Sequence, residues 1–442
     1  MNFFYKIISI LDIRLSFVRI EPLSYPAKMS FLNLMKNFSF NILNLNFREI
    51  LKDSIFLIFF LIINSLKVMY LPLAIVVYFS RYRFIQINYS QFGTINLDLH
   101  IMVKKNLNKG YKSIILIPNY SNFYFLKKIF KNLKIINNNF LNIFLLPLKH
   151  TSFISVKAEE ANILFDENLN YVTKQPYSII LNRYKKKYKN KEKKIFEFKE
   201  EFNKEMKIYF KNNFSSFDLN KTIILHHREA FFNKTSHWRG SDLSNYLPTL
   251  KYLLKKGYGV IRLTHTKSKK LSFKSKKYAE INTDEHINKL FQYYIISKCR
   301  GFICTDSGPC SVGTYLNTPI YDTNIFGMNI AGINKKSTYI LKKVKLNKRV
   351  LLFKELIELG YYKGFLYSRK MNKSQFSIVQ NTPDELLEGL KEFININKKK
   401  KKSSLQKNFK KSIPNYMELK NYDAFISQYF IKKNIKLFKG LI

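Results

Sequence analysis

The sequence predicts an α/β fold in two lobes, each built on a parallel sheet, behind an apolar N-terminal segment. Three observations predict it. Short apolar runs of strand length alternate with helical periodicity through residues 216–397. A looser succession of strand, loop and helix occupies residues 80–215. At 442 residues the chain exceeds one ordinary core and suits two of similar size.

Residues 1–53 form a poorly patterned lead-in, and residues 1–79 together make an N-terminal region ending in an apolar segment at 55–79. That segment is long enough to cross a bilayer as a helix, since about 20 residues suffice. Lys67 and Pro72 interrupt it, and Arg48, Lys52, Arg81 and Arg83 flank it on both sides. Basic flanks on both sides oppose a crossing. An embedded hairpin or interfacial anchor is favoured, with a buried helix as the plain alternative.

In the first lobe, Arg83–Tyr89 alternates like a strand, and Tyr111–Ile117 is a second β-rich run. Phe123–Phe130 reads as a helix, Asn142–Leu148 as a further strand, and residues 184–211 as a charged helical connector. The second lobe is more regular. Thr222–His226 is a buried-type strand. Ser241 is placed to cap a helix with Leu243, Leu247, Leu250 and Leu254 on one face, closed by Gly257. Tyr258–Leu263 is the next strand, and a lysine-rich loop follows at 267–277. Asp284 is placed to cap a helix, Gly301–Cys304 is a strand, Ser311–Leu316 a short helix, and Ile320–Asp322 a strand. Thr382-Pro383-Asp384-Glu385 is a capping box with proline in the first turn. Five consecutive lysines at 398–402 open a basic linker and C-terminal helix or tail over 398–442.

The net charge of +46 is a weak guide to partner. Of the 76 basic residues only 12 are arginine, the side chain that reads guanine and phosphate bidentately. Specific nucleic-acid recognition is therefore disfavoured, while phosphorylated substrates and an anionic membrane surface fit the charge. Cys299, Cys304 and Cys310 are odd in number and lack CxxC spacing. No disulfide framework or zinc site is expected, and small buried thiols are.

Scarce residue types gather between Thr222 and Gly327, which holds five of the seven histidines, Trp238 and all three cysteines. Asp306, Ser307 and Gly308 follow a strand, and Ser311 lies in the helix beyond. A helix opening at a parallel sheet's carboxyl edge points free N–H groups at a phosphate. The same residues also make ordinary structural turns. His226-His227-Arg228-Glu229 ends the lobe's first strand, where the fork of Arg228 suits a diphosphate. Arg239 and Asp242 lie in a polar loop, and Arg262 ends the next strand.

The order of these motifs carries a resemblance. His226-x-Arg228, then Arg239-x-Ser241-Asp242 with Tyr246-Leu247-Pro248, then Gly257-Tyr258-x-Val260-Ile261-Arg262, then Asp306-Ser307-Gly308 before Thr318-Pro319 resembles a family of bacterial glycosyltransferases encoded with surface-polysaccharide genes. The Asp-Ser-Gly-Pro segment is similar to the nucleotide-sugar half of heptosyltransferases, and the His-x-Arg strand end to one in fucosyltransferases. The resemblance spans about residues 81–330 and departs at His227, where an apolar residue is the family's pattern. It implies a GT-B architecture, two Rossmann-like lobes facing a central cleft, with the acceptor near the first lobe and the nucleotide sugar in the second. It makes Arg228, Asp306, Ser307 and Gly308 donor-site candidates, supported by Arg239, Arg262 and Ser311, and Asp242 in its loop.

No Asp-x-Asp triplet occurs in the chain. Arginine and a helix dipole would neutralise the leaving diphosphate without a metal or other cofactor. An inverting transfer needs a base, for which His226, Glu229 and Asp242 are candidates of equal standing beside any group from the first lobe. The expectation is a metal-independent glycosyltransferase at the cytoplasmic face of the membrane, acting on a glycan or lipid-linked acceptor. Its rival is a non-catalytic basic protein binding RNA or an anionic glycan or lipid.

Overall fold

The computed structural model describes residues 39, 42–44, 47–86, 99, 102–103, 106–107, 109–116, 125–131, 133–149, 151, 154–157, 163–165, 171–173, 197–229, 240–271, 273–305, 307–325, 336–359, 376–395, 402–414, 420 and 423–442. It divides into two compact units, Met1–Lys199 and Glu200–Ile442.

The first unit opens with helices α1 (Phe47–Met69) and α2 (Leu71–Phe79). Pro72 lies in the first turn of α2, where its missing N–H costs nothing, so the break falls at Tyr70. Lys67 does not interrupt α1 but lies buried within it. Among the described residues no helix is long and apolar enough to cross a membrane. Strands β1 (Tyr82–Gln86), β2 (Lys112–Leu116), β3 (Leu133–Ile136) and β4 (Ser155–Lys157) form a parallel sheet in the order β3-β2-β1-β4. Helix α3 (Leu126–Ile129) precedes β3. The strand expected at 142–148 is instead two short helices, α4 (Asn139–Phe144) and α5 (Leu146–Lys149). The Asn138 side chain accepts the Leu141 N–H at 3.0 Å, a cap that selects helix over strand in an apolar run. An antiparallel pair, β5 (Ile163–Phe165) and β6 (Tyr171–Thr173), completes the unit's described elements.

The second unit begins earlier than residue 216, because α6 (Glu200–Asn213) belongs to it. The Phe214 ring stacks on Phe291, centroids 5.2 Å apart, and Tyr209 donates to Asn288 Oδ1 at 3.0 Å. Its sheet has seven strands, all parallel: β7 (Thr222–His226), β8 (Gly259–Thr264), β9 (Tyr278–Asn282), β10 (Gly301–Cys304), β11 (Ile320–Ile325), β12 (Thr338–Leu341) and β16 (Phe425–Ile426). The order is β16-β12-β11-β10-β7-β8-β9. Helices α7 (Leu247–Lys255), α8 (His286–Lys298) and α9 (Gly308–Tyr315) connect the central strands. A small antiparallel sheet, β13 (Lys343–Leu346), β14 (Arg349–Val350) and β15 (Phe376–Val379), and helix α10 (Phe353–Glu358) follow β12.

Helix α11 (Pro383–Asn395) has the expected box: Thr382 N–H donates to Glu385 Oε2 at 2.9 Å, and Glu385 N–H to Thr382 Oγ1 at 3.2 Å. The end of the chain is more than a linker and tail. After α12 (Ser404–Ser412), β16 extends the sheet beside β12, and α13 (Gln428–Lys433) packs on α11. Phe409, Ile413, Phe430 and Phe438 are buried there, and their apolar area holds the segment to the core.

Candidate functional site

Strand order places the site. From β7 the chain runs outward through β8 to β9, then returns to lay β10 on the other side of β7. In an open parallel sheet the crevice at such a reversal, beyond the carboxyl ends, is where ligands bind. The two motifs singled out in the sequence end these two strands. His226 pairs in register with Cys304. Past them, Thr305 N–H donates to the His226 carbonyl at 3.2 Å, and Arg228 N–H to Thr305 Oγ1 at 2.9 Å. These bonds hold the loops after β7 and β10 edge to edge.

Helix α9 starts two residues after Asp306, with Ser307 as its N-cap, Gly308 its first residue and Pro309 within the first turn. Ser307 is buried, makes no capping bond, and its Oγ has no hydrogen-bond partner. An N-terminus without its side-chain cap leaves its N–H groups for something else. Gly313 lets the helix lie close to the sheet, for a Cβ there would stand 2.9 Å from the Phe302 ring. Ser311, one turn in, is half-buried.

His227 is the first residue after β7. Its side chain is buried against the Tyr246 ring, and neither ring nitrogen has a partner. Burial, with the Arg262 charge next, lowers its pKa to about 3, so the imidazole is neutral with one donor and one acceptor to offer. Tyr246 is itself fixed, its hydroxyl 2.7 Å from Thr323 Oγ1 and 3.0 Å from Asn324 Nδ2. Arg228 is half-buried beside it in sequence.

The remaining predicted residues are placed differently. Arg262 is completely buried, donating to Glu229 Oε1 at 3.0 Å, Glu280 Oε1 at 2.7 Å and the Lys269 carbonyl at 2.7 Å. Arg262 and Glu229 thus bond to each other. His226 is buried with its pKa pushed well below the ordinary value, by burial first and by His265 and His227 next. Asp242, not Ser241, caps the following turn, accepting the Ser244 N–H at 2.9 Å. That bond holds its carboxyl below the usual range, and the side chain is exposed. The 3-10 turn it caps shifts the helix phase, so Leu243, Tyr246, Leu250 and Leu253 face inward. Asp284 likewise does not cap α8 but accepts from Thr266 N–H and Oγ1, both at 2.8 Å. Asp306, Arg239 and Trp238 lie outside the described residues.

All three cysteines are buried thiols. Cys304 and Cys310 both donate to Asp322 Oδ1, at 3.3 and 3.0 Å, and burial raises the Cys304 pKa well above its usual value. The donor atoms of these three residues lie within 4.8 Å of one another, a set that could hold a thiophilic ion although the sequence spacing gives no such pattern. Away from the sheet edge, in the first unit, an open cleft of about 430 Å³ is lined by Lys127, Lys134, Asn137, Asn138 and Lys199 among others.

No family model and no curated protein matches the chain. Among solved structures it is similar to the ADP-heptose lipopolysaccharide heptosyltransferase II of E. coli, at 13% identity and a TM-score of 0.43, covering 72% of this chain and 100% of that one. A glycosyl transferase of family 9 from Veillonella parvula gives 10% identity and 0.40, covering 71% and 97%. The E. coli heptosyltransferase WaaC with ADP gives 10% and 0.38, covering 72% and 98%. These likenesses assign no residue of the site, whose geometry stands without them.

Proposed function

We propose that the chain is a glycosyltransferase, moving a sugar from a nucleotide-activated donor to a surface glycan or lipid-linked acceptor at the cytoplasmic face of the membrane. One observation carries the reading: at the strand-order reversal α9 begins without a side-chain cap, and the Ser307 hydroxyl after β10 and the His227 ring after β7 are buried without hydrogen-bond partners. The order of motifs in the sequence supports it.

In the proposed reaction an acceptor hydroxyl oxygen attacks the anomeric carbon, and the bond from that carbon to the diphosphate oxygen breaks. The nucleoside diphosphate leaves with the electron pair. Charge grows on its bridging oxygen, where the α9 N-terminus and the Arg228 guanidinium would stabilise it without a metal. The attacking hydroxyl gives its proton to a base. Among His226, Glu229 and Asp242, only the Asp242 carboxylate is both exposed and outside the Arg262 ion pairs. Asp242 or a group of the first unit therefore fills that role.

The test is equilibrium binding of a panel of nucleoside diphosphates and nucleotide sugars, followed by product detection with the tightest donor in excess EDTA. Base-selective binding that Arg228→Ala weakens, and transfer that survives EDTA, are expected. Uniform binding of all polyanions, falling steeply with salt, would instead indicate a charge-driven binder.

A further inference from the structure

The first unit carries an apolar surface turned the wrong way for a helix of a water-exposed domain. Sixteen of the twenty exposed large apolar side chains among the described residues lie within 42–79 and 140–144. On α1 the exposed Phe47, Leu51, Ile58, Leu61, Ile62 and Met69 recur at spacings that keep them on one stripe, roughly 100° wide at 100° per residue. Lys67, on the opposite side of the same helix by that spacing, is buried. A helix packed on a soluble core does the reverse, burying its apolar stripe and exposing its lysines.

Helix α4 continues the surface. Its Phe140 is 72% exposed and Ile143 73%, and Phe144 touches Tyr70 at the α1–α2 break with ring centroids 5.4 Å apart. Val76 and Phe79 add exposed apolar area from α2. Charge decides what covers this surface. From residue 47, where α1 begins, to 157 the sequence has 15 basic side chains and three acidic ones, Glu49, Asp53 and Asp98. A second copy would bring the same positive charge, whereas an anionic bilayer supplies both an apolar interior and negative headgroups.

We infer that the face formed by α1, α2 and α4 docks into the interfacial layer of an anionic lipid bilayer, lying in it without crossing. The second half of α4, from Asn142, falls in the run whose sequence reads as a strand. This docking stands on its own observations and holds whether or not the second unit transfers sugar.

The test is co-sedimentation of the full-length protein with vesicles of phosphatidylglycerol and phosphatidylethanolamine, and with phosphatidylcholine vesicles alone. Anionic vesicles should bind it about tenfold or more tightly than neutral ones. Phe140→Ser with Ile143→Ser should weaken anionic binding at least about tenfold, and Val76→Ser with Phe79→Ser should do the same. Ile208→Ser, an exposed apolar side chain of the second unit, should leave it unchanged. Circular dichroism and nucleotide binding should match the parent in all three. Equal binding by the α4 variant, equal binding to neutral vesicles, or no vesicle binding with a dimer that the α4 variant dissociates would each overturn the inference. Failure of nucleotide binding in the parent would sink the sugar-transfer reading and leave this one standing.

Discussion

Within β8 and β9 a buried arginine is held by ion pairs that reach Glu229 after β7, whereas Ser307 after β10 and His227 after β7 have buried polar atoms with no partner. At the first place, Arg262 meets Glu229 and Glu280, and Glu280 also accepts from the Tyr278 hydroxyl at 2.6 Å and the Leu271 N–H at 3.0 Å. Of the arginine's nitrogens, Nε has no acceptor. At the second, Ser307 Oγ and both nitrogens of His227 are without partners. Leaving a buried polar group unpaired costs about 1–3 kcal/mol. A fold tolerates that where something else supplies the partner. Arg262 offers one unpaired N–H among several bonded ones, whereas Ser307 and His227 have no side-chain bond at all, and the proposed donor would find unused groups there.

The largest expected effect breaks the ion pairs. Arg262→Met should destabilise the protein by about 3–5 kcal/mol, because it strands two carboxylates in a buried setting. Arg262→Lys should recover only part of this, having no fork to serve both partners. Urea unfolding measures both. Little change in either would mean that the ion pairs do not hold this part of the sheet and that Arg262 is available for another role.

Among the unpartnered groups, the folded state keeps His227 neutral down to about pH 3, while the unfolded chain protonates it near pH 6.5. Between those values the unfolded state binds more protons, so stability is lost as pH falls from about 6.5 towards 3 and is unaffected above. His227→Phe should remove about 2 kcal/mol of acid sensitivity at pH 5. His226 titrates in the same direction, so the slope should lessen without vanishing. Identical unfolding profiles from pH 7 to 4.5 would show that the ring is not sealed from water.

Ser307→Ala sharpens the contrast from the ligand's side. The hydroxyl bonds nothing in the protein, so its removal should not lower stability and should raise it by up to about 1–3 kcal/mol. A hydrogen bond to bound phosphate would be lost, weakening nucleoside diphosphate binding about tenfold. A drop in stability with unchanged affinity would make Ser307 part of the turn's framework.

Most of the surroundings of Ser307 were legible in the sequence, because they are a matter of local punctuation. Strand, turn and helix are contiguous, so β10 and the existence of α9 were recognisable from adjacent residues alone, although α9 starts at Gly308, three residues before the expected Ser311. The partners of Arg262 were not. Glu280 is 18 residues away on β9, a strand whose short run behind a lysine-rich loop gives no clear period. The α4 helix was misread because an apolar run alone does not distinguish strand from helix, and its Asn138 cap lies just outside that run. The state of His227 was not legible either. Sequence does not tell a hydrogen-bonded buried histidine from an unbonded one, and only the packed structure shows that its nitrogens have nothing to bond.

Asp242 lies where the two behaviours meet, and the smallest expected stability effect separates its roles. Its carboxylate caps the turn before α7 through the Ser244 N–H, so Asp242→Ala should cost about 1 kcal/mol. Asp242→Asn keeps a capping oxygen and should cost only a few tenths. The capping bond also depresses its pKa, so this part of the stability is present at neutral pH and lost as pH falls through the folded value. Asparagine, however, accepts no proton. If Asp242 is the base, the Asn variant should lose about 100-fold or more in sugar transfer with its stability nearly intact. If it is only a cap, transfer should follow stability, with Asn close to the parent and Ala slightly below. A parent-like Asn variant would move the base to the first unit and leave Asp242 a structural residue, like the ion-paired Glu229 and Arg262.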